Sequence, residues 1–161
     1  PAFTNSYHIN KVKVNQDGIY LSGLNTQALL ALSADLAVTE FCNLPKGCHN
    51  AQPFEDGVLF NDTGSDVVRY VSPNAQGCAV PVPGFDPETL EYRGVDDSRI
   101  ARQGFGRGLC VVNDQLIAAG SSPSTVAIID VSAGKRLTAV NLTLDIRNAI
   151  HGLECWPRRW A

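Results

Sequence analysis

The chain's three histidines, His8, His49 and His151, each stand at the opening of a repeated unit, in "HINKVKV", "HNAQPF" and "HGLECWP". A further opening, "RGLCVV", carries Arg107 in the same place. Imidazole titrates close to neutral pH and binds transition metals through a neutral nitrogen. Three imidazoles converging from separate strands could hold a divalent metal such as Zn, Fe or Mn, or relay a proton. The competing role is structural. Repeated units share framework residues by descent, and each histidine would then bond the backbone of a neighbouring unit. Arg107 breaks the symmetry of a metal ring. A guanidinium there points to an anion, a carboxylate or phosphate, or to an ion pair with Asp96, Asp97 or Asp145. Asn10 and Asn50 flank the first two histidines. The candidate ligand-binding set is therefore His8, Asn10, His49, Asn50, Arg107 and His151, with His8, His49 and His151 as candidate metal ligands.

Other chemistry is poorly served. "GSSPST" at 120–125 lacks the G-x-S-x-G frame of a nucleophile elbow, so turn formation explains its serines. "GFGRG" at 104–108 has no helix after it to bind a phosphate. No catalytic residue is assigned.

The elements that must position these residues are strands. Short apolar runs such as "GIYLSGL", "GVLFND", "DVVRYVS", "LIAAGSS" and "TVAIIDV" are rich in β-branched residues and broken by Gly, Asn, Asp and Pro. "QALLALSADLAV" has helix-like composition, but the flanking turn signals make it two strands. The chain is all-β.

The runs recur in phase. "HINKVKVNQDGIYLSGLNTQALLALS", "HNAQPFEDGVLFNDTGSDVVRYVS" and "RGLCVVNDQLIAAGSSPSTVAIIDVS" each contain an opening strand, an Asp-bearing turn and further strands. A spacing of about 40–45 residues per four-stranded unit is that of a propeller blade. Blade 1 is expected over 8–48, blade 2 over 49–83 with an insertion at 84–106, blade 3 over 107–150, and a closing inner strand over 151–157. On this template the strand openings, the turns at 23–27, 61–66 and 120–125, the insertion and the "LDIRN" segment at 144–148 share one rim.

"DGIYLSG", "DGVLFND" and "NDQLIAAGSS", with "RGL" and "HGLECWP" as inner strands, resemble six-bladed propellers of the strictosidine-synthase and gluconolactonase-like type. The resemblance implies a half or partial propeller, with ligands taken at the channel mouth. Gluconolactonase-like enzymes hold their metal with carboxylates. The openings here carry His and Arg instead.

With 161 residues and 44% hydrophobic content the chain forms one domain with a real core. A net charge of −3 without a basic stripe argues against nucleic acid as a partner. No apolar run approaches a membrane span and no leader opens the chain, so a soluble, cytoplasmic location is expected. The five cysteines form no zinc-type pair, and their odd number fits small buried hydrophobes in a reducing compartment. Three blades leave two apolar faces open. The expected partner is a second copy closing the ring as a dimer, or the remainder of a longer chain. The expected function is a binding or interaction module with a small-molecule site at the channel mouth; the alternative is a metal-assisted hydrolase, lactonase or lyase using the histidines.

Overall fold

The computed structural model describes residues 7–74, 76–93 and 102–156. Twelve strands form three four-stranded antiparallel sheets, each a meander in sequence order. Blade 1 comprises β1 (Ile9–Asn15), β2 (Gly18–Gly23), β3 (Ala28–Leu32) and β4 (Val38–Asn43). Blade 2 comprises β5 (His49–Phe54), β6 (Gly57–Asp62), β7 (Val67–Val71) and β8 (Cys78–Pro81). Blade 3 comprises β9 (Gly106–Val111), β10 (Leu116–Ser121), β11 (Thr125–Asp130) and β12 (Lys135–Asn141). The first strands β1, β5 and β9 are the inner ones, β5 packing against β1 on one side and β9 on the other. This is a β-propeller arrangement carried through three blades. The helix-like stretch 26–38 is β3, a turn and the start of β4, because its leucines pair across strands.

Residues directly opposed in an antiparallel pair share one face of the sheet, so register shows which side chains meet the next blade. In blade 1, Tyr20, Leu29 and Ala31 face blade 2, where they pack with Val58 and Phe60. In blade 2 the alternate set, Leu59, Val68, Tyr70 and Val80, faces Leu109, Ile117, Ala119 and Ile129 of blade 3. Leu29, Leu59, Leu109 and Ile117 are fully buried. At about 1.5–3 kcal/mol for each fully buried large apolar side chain, these two seams hold the blades together.

Among its described residues the insertion has one 3-10 turn, Pro87–Thr89, and docks on the loop after β12: Glu91 N–H donates to Leu144 O at 3.0 Å. Residues 151–156 form no strand, whereas the repeat phase predicts one over 151–157; residue 157 lies outside the described residues. The segment still takes the place of an inner strand beside β9. Gly108 N–H donates to Ile150 O at 2.7 Å, and Ile150 N–H donates to Ser121 O at 3.3 Å. Among the described residues no second strand lies beyond it to extend that pairing into a ladder.

Among the described residues no helix is long and apolar enough to cross a membrane. The cysteines are free thiols, and Cys48 and Cys110 are buried, as small hydrophobes would be.

Candidate functional site

The openings of β5 and β9, the turn after β6, and the end of the insertion meet at one rim. Arg102 ties them together. Its guanidinium donates to Thr63 O at 2.8 Å and pairs with Asp66 at 2.5 Å. Gly104 N–H donates to Ser122 O, Ser122 N–H donates to Phe105 O, and Ser122 Oγ donates to Arg102 O. Turn and insertion thus share the face where β9 begins.

Phe105 is the platform of this rim. Arg102 and Arg107 each lay a guanidinium over its ring, 4.6 and 4.7 Å from the centroid. His49 meets it edge-on at 6.2 Å. The electron-rich ring face stabilises both cations, more strongly where water is excluded.

His49 is buried and its Nδ1 lies 2.9 Å from Thr63 Oγ1. Thr63 Oγ1 donates its single proton to Gly106 O at 3.0 Å, so it must accept from His49, which therefore carries its proton on Nδ1. Burial pushes the His49 imidazole down to about 4; the charge of Arg107 adds to this, followed by His8 and His151. His49 is neutral at physiological pH.

His151 is exposed, and its Nδ1 accepts from an Arg107 terminal nitrogen at 3.4 Å. Partial burial and then the Arg107 charge lower its pKa. Arg107 itself is half-buried, its own pKa lowered by desolvation, and its buried Nε has no hydrogen-bond partner. Asp145, one of the three expected acids, is bound bidentately by Arg147 at 2.7–3.2 Å. Its backbone position two residues before Arg147 makes that pairing local. Asp96 and Asp97 lie outside the described residues. No carboxylate pairs with Arg107 among the described residues.

The asparagines do the stitching that was open to the histidines. Asn10 accepts Asn50 N–H at 3.1 Å and donates to Cys48 O at 3.0 Å, tying blade 1 to the start of β5. Asn61 donates to Arg107 O at 3.1 Å and Gly108 O at 3.3 Å, tying blade 2 to the start of β9. Asn50 reaches His151 O at 3.5 Å. Its φ of 55° is left-handed, a conformation asparagine tolerates better than most residues. His8 also has a positive φ, 46°, and its carbonyl accepts from Leu24 N–H.

The predicted set therefore divides. His49, Arg107 and His151 come together around Phe105, and His8 is close enough for its charge to count against protonation of His49. Asn10 and Asn50 make the bonds between blades described above. Among the described residues no three His, Cys, Asp or Glu side chains stand together as a metal group. Sequence reasoning missed Phe105, Thr63, Arg102 and Asn61. The turn "NDTGSD" and the insertion were placed on this rim, but no local pattern says which of their side chains turn inward.

A second concavity, about 680 Å³, opens between β4 and blade 2, lined by Phe41, Leu44, Val58, Phe60 and Val71. Its buried charge, Asp62, is already bound by Arg69 at 3.0 Å. Blades diverge outward, so an apolar wedge at their outer strands follows from the fold, and Asp56 in its lining is taken up by Tyr70 and Ser72.

No protein-family model matches the chain, and no curated protein matches it. Among solved structures it is similar to virginiamycin B lyase from Staphylococcus aureus, at 8% identity and a TM-score of 0.45, over 88% of this chain and 58% of that one. A streptogramin B lyase structure is similar at 12% identity and a TM-score of 0.43, over 80% of this chain and 42% of that one. The chain thus spans between two fifths and three fifths of these structures.

Proposed function

We propose that this chain is a propeller-type binding module whose rim takes a small anionic ligand, a carboxylate or phosphate, at Arg107. The observation that carries this reading is a half-buried guanidinium, stacked on Phe105, with no carboxylate partner among the described residues. A desolvated cation costs free energy unless an anion meets it. Around it stand His49, held neutral with Nδ1 protonated, and His151, whose Nδ1 already accepts from Arg107. An incoming anion would take up the guanidinium's donors and make His151 easier to protonate. No chemical step is assigned to these groups, and binding is the whole of the proposed activity.

Calorimetric titration with inorganic phosphate and with acetate at low ionic strength tests the reading. Saturable binding that falls at least tenfold in Arg107→Gln, without loss of fold, supports it. Equal binding by both proteins, or none by either, overturns it.

A further inference from the structure

One face of blade 1 is a blade-contact surface without its blade. Register places Val12, Val14, Ile19, Leu21, Leu30, Leu32 and Val38 on the side away from blade 2. Val12, Val14 and Val38 are more than half exposed, at 55%, 65% and 56%, and Ile19, Leu21, Leu30 and Leu32 are half-buried. The same strand positions in blade 2, Val58 and Phe60, are buried under blade 1. In blade 3 they are Ile117, Ala119 and Ile129, buried under blade 2. The repeat therefore says what covers this face: the opposite side of another blade.

The chain offers such a side on blade 3. Register puts Ala118, Val126, Ile128 and Val140 on its face away from blade 2, at the positions where blades 1 and 2 use Tyr20 and Leu29, or Leu59 and Val68. Val126 and Ile128 are half-buried and Val140 is 58% exposed. Large leucines on one free face meet smaller and β-branched residues on the other. Apolar surface of this extent on a sheet face is an interaction site rather than ordinary exposure.

We infer that the partner is a second copy of this chain, with blade 3 of each copy packed on blade 1 of the other. The two contacts are then equivalent under a two-fold axis, and together they close a ring. At the inner end of blade 3 the segment Ile150–Cys155 must yield its seat to β1 of the partner. Ile150 bonds Gly108 and Ser121 and lies over Gly120, His151 meets Asn50 and Arg107, and Cys155 meets Cys110. Yielding that seat moves His151 but leaves Arg107 stacked on Phe105, the observation that carries the ligand reading.

Sedimentation equilibrium of the full chain, with a complementation pair, tests it. The wild-type protein should have twice the monomer mass at tens of micromolar. Leu30→Glu and Ile128→Glu should each be monomeric alone, because each variant spoils both contacts of its own dimer. Mixed together they should recover a dimer, since one intact blade 3 meets one intact blade 1. Leu21→Glu with Val126→Glu repeats the test should either first variant fail to fold. A monomeric wild-type chain would assign the face to another partner and overturn the proposal. So would single variants that remain dimeric, or mixtures of folded variants that stay monomeric.

Discussion

Arg107 and His151 belong to segments 44 residues apart in sequence, yet a guanidinium nitrogen of one lies 3.4 Å from Nδ1 of the other. The contact uses an unprotonated Nδ1, and partial burial followed by the Arg107 charge lowers the pKa of this imidazole.

Removing that arginine should therefore let His151 take up a proton more readily. In Arg107→Gln the His151 imidazole is expected to titrate at higher pH than in the wild type, since the Arg107 charge is the second cause of its lowered pKa after burial. Proton NMR of the imidazole resonances reads this directly. An unchanged titration would mean that the two side chains are apart in solution.

His49 makes the fold acid-sensitive in a definite window. Its folded pKa is depressed from 6.5 to about 4, chiefly by burial, so between those values the unfolded chain binds the proton and the folded one does not. Stability should be full above pH 6.5 and fall as pH drops toward 4, by up to about 3 kcal/mol from this group. Urea unfolding at pH 7 and pH 4.5 should show a smaller loss for His49→Gln than for the wild type. Equal losses would place the acid sensitivity elsewhere.

Asn61 and Gly106 should be energetically coupled. A Cβ on Gly106 would stand 2.8 Å from Asn61 Oδ1, while Asn61 Nδ2 holds the carbonyls of Arg107 and Gly108. Asn61→Ala should cost about 1–3 kcal/mol, because two buried carbonyls lose their donor. Gly106→Ala should also destabilise, and the double variant should cost clearly less than the two singles added. Simple additivity in denaturant unfolding would mean that the two residues do not touch.

The blades were legible because period-2 alternation and Asp-bearing turns are local signals, strong in "DGVLFND" and "NDQLIAAGSS". The phase of the repeat also brought the openings at His49, Arg107 and His151 to one place. The division of labour among them was not legible. Asn10 on β1 and Asn61 on β6 each stitch their blade to the inner-strand start of the next, through pairings 38 and 46 residues apart that no local pattern encodes. Phe105 was hidden for a similar reason: a single aromatic in a glycine-rich connection becomes a platform only when Arg102 and Arg107 fold over it. The segment after Ile150 shows the limit of repeat phase, since a strand needs a neighbour to form a ladder as well as the right residues.

The most direct test of the anionic rim is a crystal structure of the protein soaked in tungstate, a tetrahedral oxyanion with strong anomalous scattering. A peak is expected within hydrogen-bonding distance of the Arg107 guanidinium, beside Phe105, and is expected to be absent in Arg107→Gln. Tungstate bound only elsewhere, or a rim left empty while Arg107 pairs with an acid of its own chain, would contradict it.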